Sequence, residues 1–455
     1  MLFPSFTFIL GFLPITFLGY FLLGKFSRSA ARIFLLIASG IFYSWFNPSY
    51  FLILGGSIIV NYFLARILWK KHPKAVFIIG VLLNIALLGY FKYCDFFISN
   101  INYALKLSIP FTHILLPLGI SFFTFQQISF LHAVYSGELK DHYSFSTYAL
   151  FVSFFPQLIA GPIVLPDEMM VQFDHPDNLK INAENCAKGL FVFALGLAKK
   201  ILLADFLAEI ADAGFAAAQV NFISAWTTTL AYTFQIYFDF SGYCDMAIGI
   251  GLLFNIRLPE NFHAPYLSGS ITEFWRRWHI TLGRFLMNYI YIPLGGSKKS
   301  HAVTCGNLMI TFLVSGLWHG ASWLFVLWGA MHGAASVIHR LWSKIFKLKM
   351  PKLPAKLITF FFVASAWVLF RAENLAQARK IYKGMFSPDS WGHFTFSRNF
   401  LWLLAGALII IFVPPATSRI DSFRSTKINA FIAIGLLVVS MFFFVKTSPF
   451  IYFNF

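Results

Sequence analysis

The sequence predicts an all-α, polytopic integral membrane protein, and three observations carry that prediction. Of 455 residues, 58% are hydrophobic and only 12% are charged, against about 25% charged in a typical soluble domain. Apolar stretches of roughly 17–25 residues recur, each long enough to cross a hydrocarbon layer of about 30 Å. Basic residues sit in short clusters between those stretches rather than on one continuous cationic face. A water-soluble chain of this composition would lack the polar surface to cover its core, whereas lipid lets apolar side chains face outward.

In chain order the expected spans are 5–23, 33–46, 51–69, 76–91, 111–131, 147–164, 186–207, 224–254, 303–317, 321–341, 356–370, 400–414 and 428–446. The first apolar run, Met1 to Gly24, lacks a basic n-region, is too long for a signal-peptide core and is followed by positive charge, so it reads as a retained span. The turn at Asn47-Pro48 separates the second span from the third. Several spans are short or broken by Gly and Pro, which sets the count at about 11–13 membrane segments. No soluble domain fits between them, and 1–455 reads as one membrane-embedded domain.

Lys+Arg outnumber Asp+Glu by 35 to 18, a net charge of +17. The surplus clusters at Lys25, Arg28 and Arg32, at Lys70, Lys71 and Lys74, and at Lys344, Lys347, Lys349, Lys352 and Lys356. Placed between apolar runs, such clusters suit cytoplasmic loops attracted to anionic membrane lipid, not nucleic acid. Positive-inside then sets the N-terminus outside and the first two basic loops in the cytoplasm. Cys94, Cys186, Cys244 and Cys305 form no C-x-x-C pair and signal neither zinc nor disulfides.

Residues 257–299 break the pattern. Tyr266, Phe274, Trp275, Trp278, Phe285, Tyr289 and Tyr291 interleave there with Arg276, Arg277 and Arg284. The stretch is too polar to face lipid and too aromatic for an ordinary loop, so it suits short interfacial or re-entrant helices. Irregular backbone at membrane depth is tolerated where it is buried in protein or lines a cavity.

An ionisable group inside a span costs about 2.5–3.5 kcal/mol at a helix centre and needs a reason. His319 stands in Ser315-Gly-Leu-Trp-His-Gly-Ala-Ser-Trp323, flanked by Gly316 and Gly320. A neutral imidazole can exchange a proton near pH 7 without first burying a charge; a packed, hydrogen-bonded histidine is the bland alternative. His332 follows between three and four turns later, at about 3.6 residues per turn, and suits structural support. His279 stands in Phe274-Trp-Arg-Arg-Trp-His-Ile-Thr-Leu282, where Arg276 and Arg277 suit an anionic substrate part or lipid headgroups. Asp239, Ser241 and Asp245 lie within an apolar span and must be paired, hydrogen-bonded or protonated. They suit a cation, a histidine to orient, or a tie between helices. Gly-x-Ser-x-Gly, P-loop and Rossmann patterns are absent, which disfavours serine hydrolases, ATPases and nicotinamide enzymes.

These segments, in order, resemble the membrane-bound O-acyltransferase family, in particular its bacterial branch acting in alginate O-acetylation. The resemblance rests on Leu115-Leu-Pro-Leu-Gly-Ile-Ser-Phe-Phe-Thr-Phe-Gln-Gln127, Phe155-Pro-Gln-Leu-Ile-Ala-Gly-Pro-Ile163, Asp239-Phe-Ser-Gly-Tyr243 and Glu273-Phe-Trp-Arg-Arg-Trp-His279. Tyr291-Ile-Pro-Leu-Gly-Gly296, Gly316-Leu-Trp-His-Gly320, Trp367-Val-Leu-Phe-Arg-Ala372 and Pro449-Phe-Ile-Tyr-Phe453 complete it. The chain departs from the pattern at His132-Ala133, where an acid is common, and at Leu165, where a basic residue is common.

The resemblance implies helices around a central funnel or tunnel, with His319 catalytic and His279 its companion; His279 or a backbone N–H would donate to the oxyanion. It implies acetyl transfer from acetyl-CoA, with no bound cofactor and no metal. Arg276, Arg277, Trp278, Trp318, Asp239 and Ser241 would contact substrate. The acceptor would be an extracytoplasmic polysaccharide, the partner a periplasmic SGNH-type esterase, and the location the bacterial inner membrane. D-alanyl transfer to teichoic acid and peptidoglycan O-acetylation are the alternatives on the same fold. A secondary transporter also uses intramembrane His and Asp near broken helices, but with inverted repeats, and no repeat is seen.

Overall fold

The computed structural model describes residues 1–139, 141–346, 350–387, 391, 398–444 and 450–451. Lys347 and Lys349 of the third basic cluster, the end of the expected 428–446 span, and Pro449, Tyr452 and Phe453 of the terminal motif lie outside them. The described residues are mostly helical, with one isolated β-bridge between Phe262 and Trp278. Thr7–Gly24, Pro48–Lys71, Lys74–Leu105, His301–His319 and Lys352–Arg371 are long and apolar enough to cross a membrane.

The chain divides into two compact units. The first comprises Met1–Leu195, Cys244–Pro259 and Arg424–Phe444. Its helix boundaries follow local chemistry. The Ser27 side chain accepts from the Ala30 N–H to start Arg28–Ser44, and Asn47 with Pro48 starts Pro48–Lys71, as capping and the fixed proline φ favour. That helix ends at His72 in the left-handed region, φ 47°. Leu52, Phe63 and Phe442 point outward, 73%, 64% and 80% exposed, as lipid-facing residues should. Between helices, Asn84 donates to Asn61 at 2.6 Å, which satisfies amides that lipid cannot.

Two expected spans prove only partly helical. In 111–131 the helix is Ile120–Tyr135, because Pro117 and then Gly119, at φ +71°, interrupt the backbone before it. In 147–164 the helix is Phe145–Ser153. Pro156 and Gly161-Pro162 hold the rest in buried turns, where irregular backbone is sheltered by protein.

The second unit comprises Gly196–Tyr243, Glu260–Phe423 and the described residues after 444. Its central element is the 32-residue helix Phe222–Leu253, whose last residues belong to the first unit. The aromatic-basic stretch forms the short helices Ile271–Arg277 and Ile280–Leu286, as expected of 257–299. His301–His319 and Trp323–Leu341 make a tight helical hairpin. A Cβ on Gly316 would stand 2.3 Å from the Phe325 carbonyl oxygen, and one on Gly329 2.4 Å from that of Phe312. Small residues allow such backbone approach inside a membrane.

Candidate active site

His319 is the last residue of the His301–His319 helix, with Gly320 extended behind it at φ −167°. Its imidazole is 2% exposed and ringed by Trp318, Trp328 and Phe370, with ring centroids 5.0, 5.1 and 5.1 Å away. His279 caps the Ile280–Leu286 helix with left-handed backbone, φ 47°. That conformation is uncommon for a residue with a Cβ. It turns the chain sharply and brings the His279 ring to 6.4 Å from that of His319. The fold thus joins two histidines that are distant in sequence.

The tautomer of His279 follows from its neighbours. The backbone N–H of Thr281 donates to Asn261 Oδ1 at 3.2 Å, and the Thr281 hydroxyl donates to the same atom at 3.0 Å. A backbone N–H can only donate, so the atom it meets is the amide oxygen and not the amide nitrogen. His279 Nδ1 faces that oxygen at 3.2 Å and therefore carries the proton, which leaves the Nε2 lone pair as an acceptor. Complete burial of this ring, in the short-helix segment outside the spanning helices, holds it well below the ordinary imidazole range. A neutral ring of this tautomer accepts a hydrogen bond at Nε2. Donating to an oxyanion from Nε2 would need the charged form that burial opposes.

A cavity of about 520 Å³ lies against the same elements. Ser315, one turn before His319, and Ile280, next to His279, form part of its wall. Arg276, Arg284 and Arg340 line it together with Thr272, Trp275, Tyr291 and Ser336, and no acidic side chain is among the described lining residues. Three guanidinium groups along one wall suit an anionic ligand, phosphate above all.

The remaining expected residues have varied surroundings. Arg277 pairs with Glu273 at 2.6 Å and does not line the cavity. Trp278 is 1% exposed and packs on Phe262 and Trp367 at 5.0 and 4.9 Å. Trp318 adjoins both histidines, 6.0 Å from His279 and 5.0 Å from His319. Both Asp239 oxygens are engaged within the protein, by Lys200 and by the Ile451 N–H. Ser241 is buried beside Asp239, and its hydroxyl has no hydrogen-bond partner among the described residues. His332 accepts from Trp275 Nε1 at 3.2 Å, a supporting contact behind the cavity wall.

Residues 60–376 match the model of the MBOAT, membrane-bound O-acyltransferase family. The chain belongs to this family. Along with its apolar helices, membership makes it a multi-pass membrane O-acyltransferase. It is 48% identical over 419 residues to a peptidoglycan O-acetyltransferase of Helicobacter pylori, covering 85% of this chain and 80% of the relative. It is 41% identical over 424 residues to a "probable alginate O-acetylase" of Pseudomonas aeruginosa, covering 91% and 80%. A teichoic acid D-alanyltransferase of Bacillus subtilis is 25% identical over 268 residues, covering 56% and 68%.

Three residues in or near the candidate site escaped the sequence reading. Asn261 sets the His279 tautomer, Lys200 holds Asp239, and Arg340 completes the arginine-lined wall. A lysine inside the apolar run Gly196 to Ala204 was a detectable signal for Lys200. Asn261 and Arg340 gave none.

Proposed function

We propose that this acyltransferase moves an acetyl group from cytoplasmic acetyl-CoA toward a hydroxyl of an extracytoplasmic polysaccharide, working in the bacterial inner membrane. The observation that carries the reading is the pair of imidazoles 6.4 Å apart beside a cavity lined by Arg276, Arg284 and Arg340. The arginines suit the phosphates of the donor, and Ser315 and Ile280 of the cavity wall stand one turn and one residue from the two histidines.

A hydroxyl is a weak nucleophile at neutral pH, so its proton must leave as it attacks. His319 takes that proton, a contribution of about 10²–10⁴-fold for a positioned base. The hydroxyl oxygen bonds to the thioester carbon, the C–S bond breaks, and the proton passes from the imidazole to the departing thiolate. His279, neutral, supplies a hydrogen-bond acceptor at Nε2 beside His319. The oxyanion then needs donors other than neutral His279, such as a backbone N–H. A periplasmic SGNH-type esterase would carry the group onward to the glycan. The relative of higher identity is named for peptidoglycan, so peptidoglycan is the acceptor to test first and alginate second.

The test is purified protein given acetyl-labelled acetyl-CoA, with wild type compared with His319→Ala for thioester consumption. Sacculi and exopolysaccharide from cells carrying each version are assayed for base-labile acetate. His319→Ala should lose consumption and acetate while its membrane level is unchanged. Near-normal acetylation by that variant removes the assignment, and label that enters neither glycan removes the polysaccharide acceptor.

A further inference from the structure

Two motifs of the sequence have no part in the chemistry above: Asp239-Phe-Ser-Gly-Tyr243 and the terminal Pro449-Phe-Ile-Tyr-Phe453. The structure brings Phe450 and Ile451 of the second to one buried point on the first. Lys200, 1% exposed, lies 2.5 Å from Asp239 Oδ1 and 2.9 Å from Asp205 Oδ1. The other Asp239 oxygen accepts the backbone N–H of Ile451 at 2.8 Å. The Phe450 ring stands against the same ammonium, 4.8 Å from nitrogen to centroid, and meets the Tyr243 ring edge-on at 4.6 Å and 90°.

A buried ion pair is weak evidence for stability, because desolvation consumes most of the Coulomb gain. It does fix geometry, since each charge tolerates few placements. Asp239 and Tyr243 are four residues apart and share one face of the Phe222–Leu253 helix. That face meets Lys200 and the tail. Tyr237 and Phe240, three residues apart, share the adjoining face and meet the catalytic segment. Phe240 packs edge-on against the His279 imidazole at 4.8 Å and 81°, and Tyr237 lies 6.3 Å from Trp278. The same two turns of helix are gripped by the tail on one side and bear on His279 on the other.

We propose that Phe450 and Ile451 form a positioning clasp, which holds the Phe222–Leu253 helix at Asp239 and so sets the place of His279. The proposal rests on the acyltransfer reading above. The clasp acts through a main-chain N–H, so the side chain at 451 is immaterial and the hydrogen is essential. A proline there removes that donor and nothing charged.

The experiment compares Ile451→Pro, Ile451→Ala and Phe450→Leu in the full-length detergent-purified protein, with acetyl-CoA consumption as the readout. Ile451→Pro should lower kcat by about tenfold or more, as small misplacements of a reacting group do, with donor KM unchanged. Ile451→Ala should keep wild-type kcat, and Phe450→Leu should fall between them. Wild-type kcat in Ile451→Pro, or equal damage from proline and alanine, overturns the clasp. A rise in donor KM instead of a fall in kcat, or a proline variant missing from the membrane, also overturns it, because the claim concerns catalytic geometry and not insertion. His319→Ala runs alongside: activity surviving there refutes the catalytic reading, whereas a normal Ile451→Pro beside an inactive His319→Ala refutes the clasp alone.

Discussion

Asn261→Asp tests the protonation state assigned to His279. The new carboxylate keeps an oxygen for the Thr281 N–H, the Thr281 hydroxyl and His279 Nδ1, which lie 3.2, 3.0 and 3.2 Å from Asn261 Oδ1. It adds a negative charge beside the imidazole. In the native protein burial lowers the His279 pKa to about 3, so the ring is neutral across the working range. An opposite charge at this distance raises an imidazole pKa by about 1–3 units, which moves it to about 4–6. Protonation at Nε2 removes the acceptor, so the active form exists above the pKa and is lost as pH falls through it. The variant should therefore approach wild-type kcat near pH 7.5 and lose activity relative to the native enzyme as pH falls from about 6 to about 4. The assay is acetyl-CoA consumption against pH in detergent, with folding checked at each pH by intrinsic tryptophan fluorescence. Superimposable profiles would refute the assigned role of the neutral ring. A folded variant inactive at every pH would refute it as well, since all three acceptor contacts are retained.

Four further outcomes are expected. Arg340→Gln should raise donor KM by roughly 10-fold or more, the value of one charge-assisted hydrogen bond of about 1.5–3 kcal/mol, with kcat little changed. Arg277→Gln, whose guanidinium is paired with Glu273, should leave donor KM within about twofold, consistent with a partly exposed ion pair worth about 0–1 kcal/mol; equal KM effects from the two arginines would contradict the cavity assignment. Gly316→Ala and Gly329→Ala each drive a Cβ onto a backbone carbonyl and should cost about 1–3 kcal/mol, seen as a lower melting temperature in detergent; an unchanged melting temperature would mean the hairpin is looser than described. Tyr266→Phe removes the hydroxyl that donates to the Thr233 carbonyl at 2.7 Å and accepts from Trp367 Nε1 at 3.1 Å. It strands the buried indole N–H at about 1–3 kcal/mol and should lower the melting temperature while donor KM stays constant.

Much of the fold was legible because lipid imposes a simple rule. Apolar runs bounded by Ser27, Asn47-Pro48 and His72-Pro73 became helices near the expected positions, since capping and hydrophobicity act locally. The failures at 111–131 and 147–164 share one cause. Hydrophobicity reports burial or lipid contact but not hydrogen bonding, and Pro117, Pro156 and Pro162 leave apolar side chains on backbone that cannot continue a helix. At the site, His319 and His279 were readable as costly imidazoles in aromatic surroundings, and 257–299 as irregular backbone with a purpose. Partners across distance were not readable. Asp239 suited a cation, a histidine to orient or a tie between helices, and only the structure shows Lys200 and the Ile451 N–H on its oxygens. Arg277 and Arg276 are indistinguishable as letters; which one faces the cavity depends on the turn of a seven-residue helix and on Glu273 sitting four residues before the former. Arg340 shows the limit most sharply. A guanidinium in the last turn of an apolar helix is the ordinary interfacial anchor, and only its place in the wall shared with Arg276 and Arg284 sets Arg340 apart.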